Sequence, residues 1–316
     1  MPRHLAAVAL VVFAFSAFAQ YPNRPIRLLH GIAAGGNADV VARVVAVPLQ
    51  AALGQPVMVE SRPGAGGNIA AEAAARSPPD GYTLVVLPGG HAVSGAMYRS
   101  LPFKPVEDFA FISTLTFFPF AVVARPDAEY RTPAEFIAHA RRNPGTTNFS
   151  TAGVGATQHL TGELIKSQAK LDMVHIPFKG GGAPMQSVLA GETQINVETL
   201  TVVLTQIKAG KLRALATSGA ERAPDLPDVP AVGETLAGFD VRSWLGIAAP
   251  RGTPPEIVER LNREIANVLA NPDTRNRLRS LGAEVRGGTP TEFRDLVSRE
   301  IARWASVIDL AKVPRQ

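Results

Sequence analysis

The chain has 316 residues and no cysteine, so disulfides, thiolate metal sites and a cysteine nucleophile are all excluded. Aromatic residues make up only 6%, few for the stacking platforms that hold bases or sugars. The net charge of +5, or +4 if Arg3 leaves with a leader, comes from scattered basic residues, not a stripe, and leaves no nucleic-acid footprint. Beyond the N-terminus no apolar run approaches the ~20 residues that span a membrane. GxSxG, HExxH and GK[ST] motifs are missing, and the six histidines are too dispersed for a zinc site. Ser94 lies close behind His91, but adjacency in sequence is not a triad. Neither catalysis nor any cofactor or metal finds support in these residues.

What the chain does have begins with a leader. Met1–His4 is basic, Leu5–Phe18 is apolar, and Ala17-Phe18-Ala19 is a small-x-small cleavage site before Gln20. Residues 1–19 are expected to be a cleaved signal peptide and the mature chain to be periplasmic.

Three times a short apolar strand runs into a glycine-rich turn that opens a helix: GIAAGGNAD (Gly31–Asp39), STAGVGATQH (Ser150–His159) and FKGGGAP (Phe178–Pro184). Such turns present unpaired backbone N–H groups and the positive end of a helix dipole, which together attract an anion. One such turn is commonly an ordinary βα connection; three after strands favour binding. Strand-like runs at Ile26–Leu29, Val57–Glu60, Thr83–Leu87 and Ala121–Ala124 alternate with helices over Ala38–Leu53 and Asn68–Arg76. Asn37 reads as the N-cap of the first helix and Gly54 as its stop, with Pro48 expected to kink or shorten it. A second series follows, with strands at Thr147–Ser150, Met173–Ile176, Thr193–Val197 and Arg213–Thr217 and helices between them. An apolar segment, Trp244–Ala249, precedes three helices opened by proline, Pro254–Leu269, Pro272–Leu281 and Pro290–Leu310. This alternation predicts α/β architecture in which mostly parallel sheets are flanked by helices. Two such lobes would bring their glycine turns onto one cleft.

Few side chains could carry recognition. Ser150, Thr151 and Thr157 could donate to a carboxylate, and Thr157 could equally be the N-cap of the next helix. His175 reads as structural, whereas His91, in the turn PGGHAVSG, is expected to face the cleft. Lys179 reads either as an anion partner or as a surface lysine with its stem on apolar neighbours. Glu198 falls at the end of a buried strand, where it would repel an anion unless it meets a donor group or a bridging water.

The ordered segments IRLLHGIAAGGNADVVAR, LGQPVMVESRPGAGGNIAAE, PPDGYTL, DFAFIST, VHIPFKGGGAP, IKAGKLRALA, LPDVPAVGE and GTPPEIVERLNREI resemble the Bug-type receptors of tripartite tricarboxylate transporters, from Tyr21 to the C-terminal helix. The resemblance implies a two-lobed, periplasmic-binding-protein-like (Venus flytrap) fold. It implies lobes of residues 20–122 with 245–316 and of residues 123–244. It also implies a small carboxylate ligand, delivered to a membrane permease of a large and a small transmembrane subunit or read by a membrane sensor. Together with the turns it places ligand contacts at Ile32, Ala33, Gly35, Gly36, Asn37 and Asp39; at His91; at Thr151, Ala152, Gly153, Gly155, Ala156, Thr157 and His159; at Lys179 and Gly180; and at Glu198 and Thr199. Where such receptors commonly carry a PFAPGG-like turn, this chain has Gly31-Ile32-Ala33-Ala34-Gly35-Gly36, without the aromatic. Ala38, Ala152 and Ala156 stand where hydroxyl residues are frequent, and Glu198-Thr199 where Asp-Asn is usual. Fewer donors favour a monocarboxylate or an aromatic carboxylate over citrate. Gly155→Asp is expected to abolish binding and leave the fold intact.

Overall fold

The computed structural model describes residues 21–180 and 182–316; the expected leader lies outside the described residues. The first strand, β1 (Ile26–His30), pairs in parallel with β2 (Val57–Ser61) and with β3 (Thr83–Pro88). Between β1 and β2 runs α1 (Asn37–Leu53), and α2 (Asn68–Ala75) and α3 (Gly90–Met97) come after β2 and β3. On α1, Val41, Ala42, Val45, Ala46, Leu49 and Leu53 recur at helical spacing and are buried. Gly54 then stops the helix in the left-handed region at φ 67°. Pro48 does not shorten α1, which continues to Leu53. The N-cap is Gly36, and Asn37 is already helical.

The strand read at Ala121–Ala124 is only the end of β4 (Phe109–Ala124), whose sixteen residues are nearly all buried. From Phe109 to Pro119 it pairs antiparallel with β9 (Arg242–Pro250), which also pairs with β3. From Phe120 to Ala124 it pairs antiparallel with β7 (Ile195–Thr199), and from Ala121 with β8 (Arg213–Thr217). Parallel pairing resumes where β5 (Thr147–Thr151) lies between β6 (Met173–Pro177) and β7. The parallel groups expected from βαβ units thus form the two wings, and antiparallel strands join them. The helices of the second wing are α4 (Pro133–Arg142), α5 (Thr157–Ala169), α6 (Ala183–Leu189) and α7 (Leu200–Lys208).

After β9 the chain forms α8 (Pro255–Ala270), α9 (Pro272–Arg279), a short strand β10 (Glu284–Val285) on β4, and α10 (Pro290–Leu310). These helices return to the first wing: α8 packs on α1 and β4, and α10 on α3 and β4. Trp244 and Trp304 are buried there, with Phe293 edge-on to Trp244. None of the helices among the described residues is long and apolar enough to cross a membrane.

Candidate functional site

The β1–α1 and β5–α5 turns have nearly the same backbone. Gly35 and Gly155 take φ 77° and 79°, which costs a residue with a Cβ but not glycine. The next residues, Gly36 and Ala156, are extended N-caps at φ −78°, ψ 166° and φ −75°, ψ 152°. Each turn closes on itself, Gly36 N donating to Ala33 O (3.1 Å) and Ala156 N to Gly153 O (3.2 Å). Neither helix has a side-chain cap. Among the described residues the backbone N–H groups of Asn37, Ala38, Thr157 and Gln158 meet no acceptor.

Both helix starts open on one buried chamber. It is lined by Ile32, Gly36, Asn37 and Ala38 from the first wing, and by Ala152, Ala156, Thr157 and Gln158 from the second. Glu198 and Thr199 at the end of β7 complete the polar side, and Gly90, at the start of α3, also lines it. The starts of α3 and α7 likewise have no side-chain cap. Four uncapped helix starts therefore converge, and among the described residues the lining contains none that is basic. Asn37 Oδ1 and Thr157 Oγ1 are buried without a hydrogen-bond partner. The space open to the centre of a water-sized sphere is ≈ 30 Å³, enough for about two waters. A second chamber of ≈ 240 Å³ adjoins it, sharing Ile32, Gly66 and Ala152 and adding Tyr98, Gly153 and Lys179. The wings meet closely here: a Cβ on Gly180 would lie 2.9 Å from Ile32 Cγ2, and one on Gly66 3.1 Å from Val154 O.

Several expected contacts have other work. His91 lies in α3, not in a turn, because Ala92, Val93, Ala96 and Met97 bury one face of a short helix that the paired glycines disguise. Its ring stacks on Phe103, meets Phe109 edge-on and bonds Pro105 O at 2.8 Å, and burial pushes its pKa down to about 4. It is a neutral core residue outside the chamber. Asp39 turns back on its own turn, accepting from Gly35 N (3.0 Å) and Arg43 Nε (2.8 Å), with His30 Nε2 3.2 Å away. Thr151 Oγ1 bonds His175 Nε2 at 2.6 Å and accepts from Gly153 N, and His159 stacks on His175 with ring centroids 4.2 Å apart. These residues brace the turns from behind. Ala33, Gly35 and Gly155 shape them, Gly180 gives the close approach, and Lys179 is exposed at the outer chamber.

Thr157 is not the N-cap of α5, a place held by Ala156, so its hydroxyl is free for the chamber. The aromatic missing at Ile32 is supplied from elsewhere: Phe118 and Phe120 of β4 line the chamber, edge to face at 6.0 Å, with Pro88 and Leu245. Ser243 and Gln158 also reach it unforeseen. A signal was present in FFPF, an aromatic run where the chain passes between wings, but its facing depends on the path of β4.

Glu198 is 3% exposed. Its Oε1 accepts from Gln158 Nε2 (3.1 Å) and from Thr199 N (2.7 Å). Burial pushes its pKa up, and the Thr199 N–H, the Gln158 amide and the nearby Thr199 hydroxyl offset part of the rise.

The family model described as "Tripartite tricarboxylate transporter family receptor" matches residues 41–312. The fold superposes on the periplasmic binding protein BugD with a TM-score of 0.90 at 32% identity, covering 94% of this chain and all of that one. An R. palustris protein solved with adipate gives a TM-score of 0.90 at 31% identity, covering 92% and 98% of the two chains. MatC from Rhodopseudomonas palustris, solved with bound malate, gives 0.87 at 34% identity, covering 91% and 100%. With a match over most of its length, and this two-winged α/β architecture around a closed chamber, the chain belongs to the tripartite tricarboxylate transporter receptor family.

Proposed function

We propose that this protein is a periplasmic receptor that closes two lobes on a small carboxylate and hands it to a membrane permease, binding without turnover. The observation that carries the reading is the convergence of four uncapped helix starts on a chamber with no cation in its lining. Dipoles and backbone N–H groups in a buried site suit a carboxylate without the permanent charge of an arginine. Adipate and malate in the related structures support the same ligand class.

The lobes correspond to residues 20–122 with 245–316 and to residues 123–244, with β4 and β9 as the connections that flex on closure. The ligand is less polar than a tricarboxylate. Its carboxylate lies against the helix starts, and its carbon chain runs past Ile32 and Phe118 toward the outer chamber.

The test is to refold the mature chain from denaturant and follow its melting temperature with adipate, malate, benzoate and citrate. At a hundred times Kd a ligand adds ~2.7 kcal/mol, a shift of several degrees for a chain of this size. A shift with adipate, malate or benzoate that exceeds the shift with citrate is expected. A folded protein that ignores all four sinks the carboxylate reading, and citrate as the strongest ligand overturns the narrower preference.

A further inference from the structure

Among the described residues Glu198 is the one ionisable group in the chamber's lining, and it stands where an anion is to be held. Thr199 follows it in β7, and β5 and α6, both packed on β7, carry no ionisable residue. The other elements packed on β7 bring Phe120 and Ala121 from β4, Gln158 from α5 and Leu200 from α7, and Asn37 and Ala38 of α1 line the same chamber, none of them ionisable. The ionisable groups nearest in sequence on those helices are engaged elsewhere: Asp39 with Arg43, and His159 with His175. No charged side chain stabilises Glu198 as an anion. Both hydrogen bonds it accepts go to Oε1, and among the described residues Oε2 has no partner.

Two carboxylates brought together in a dry site cannot both remain charged at small cost. One of them takes a proton, which then bridges the pair. We propose that Glu198 is protonated in the ligand-bound state and donates through Oε2 to the ligand's carboxylate, so that capture by protein in which Glu198 is still ionised takes up one proton from solvent. The proposal rests on the carboxylate reading above and assigns to Glu198 the recognition of an anion by a neutral acid.

The experiment measures the Kd of adipate, malate and benzoate between pH 6 and 9 for the wild type and for Glu198→Gln, whose amide is a permanent donor. Wild-type affinity is expected to fall up to tenfold per pH unit at the alkaline end, while Glu198→Gln loses most of that dependence and binds more tightly than wild type at pH 9. Ionisation of the ligand itself appears equally in both proteins. Equal pH dependence in the two, or a flat wild-type profile, overturns the proposal.

A second measurement needs no ligand: unfolding by denaturant from pH 5 to 8. A carboxyl whose folded pKa is raised contributes stability that is complete below its unfolded value, near 4.3, and is lost as pH rises through the folded one. Glu198→Gln should therefore gain on wild type as pH rises. A constant difference between the two proteins means that Glu198 ionises as an ordinary surface carboxyl, and the proposal fails whether or not a carboxylate binds. Ligand-free behaviour as expected, with no binding of any carboxylate, instead removes the carboxylate reading.

Discussion

The β1–α1 and β5–α5 turns are the same piece of backbone built twice, and they differ in what holds them. Behind the first lies a carboxylate: Asp39, in the first turn of α1, ties Gly35 N and Arg43 together and touches His30. Behind the second, at the equivalent place in its helix, lies a neutral imidazole: His159, stacked on His175, which in turn holds Thr151. The first turn therefore spends part of its helix dipole on its own side chain. The second keeps its positive end undiluted but carries Glu198 at the chamber wall. Helices away from the chamber offer a second contrast. Thr132, Asn271 and Thr289 cap α4, α9 and α10 with their side chains, while α2, α6 and α8 go without; none of the four helices that open on the chamber has such a cap. A helix start left uncapped in the interior leaves N–H groups available to something else.

The most severe way to break this arrangement is to supply the missing cap. Ala156→Asp places a good N-cap residue at an extended position whose side chain faces the chamber. Its carboxylate would occupy the N–H groups of the first turn of α5 and repel a ligand anion. Calorimetric titration with adipate, malate or benzoate should show a loss of at least a thousandfold, roughly 4 kcal/mol, while the melting temperature holds or rises. Unchanged affinity would remove the α5 start from the site. Gly155→Asp is the poorer probe, contrary to the expectation from sequence. At φ 79°, with Tyr98 Cε2 3.2 Å from an added Cβ, it would strain the turn itself.

Acid should separate the two supports. Burial, then the neighbouring His159, lowers the pKa of His175 to about 3, and burial lowers that of His159 to about 4. Such groups stay neutral in the fold while the unfolded chain takes up protons below pH ~6.5. The stability they carry is thus present above that value and is lost as pH falls toward 4. Denaturant unfolding should show a loss of about 2 kcal/mol from each of the two between pH 7 and 5, at ~1.4 kcal/mol per pH unit below pH ~6.5. Buried His91 adds a similar slope that the variants His175→Gln and His30→Gln retain. His175→Gln, which can still bond Thr151, should flatten that slope more than His30→Gln. His30 is also lowered by burial, but Asp39 opposes the shift. Equal flattening by the two variants would erase the distinction between the turns.

How much of this is legible in the sequence depends on whether the signal is local. The glycine turns, the strand before each and the helix after each can be read from a few consecutive residues, because φ > 0 and helix entry are local properties. That the two helices go uncapped cannot, since Asn37 and Thr157 look like caps and sit one residue too far in. The bracing roles of Asp39, Thr151 and His159 cannot, since each depends on which side of the turn its side chain leaves. His91 misleads because PGG resembles a loop, while the packing of Ala92, Val93, Ala96 and Met97 makes a helix of Gly90–Met97. Phe118 and Phe120 reach the chamber only because β4 continues from one wing into the other, pairing with β9 as far as Pro119 and with β7 from Phe120. The length of that strand is a tertiary fact, fixed by the partners on either side.

The mildest test distinguishes a side chain placed for a ligand from one placed for the fold. Asn37 and Thr157 are the first helical residues of the two matched helices, and each keeps a buried polar atom without a partner. For a residue serving the fold this is unfavourable, since an unsatisfied buried hydroxyl costs on the order of 1 kcal/mol. Thr157→Val keeps the shape and removes the hydroxyl. It should therefore leave the ligand-free protein as stable as before or slightly more so, yet weaken carboxylate binding about three- to tenfold, the equivalent of ~1 kcal/mol. Opposite signs in the two measurements are what a recognition group produces. A loss of stability with unchanged affinity would instead return Thr157 to the role of a structural residue, and would leave the second turn to act through its backbone alone.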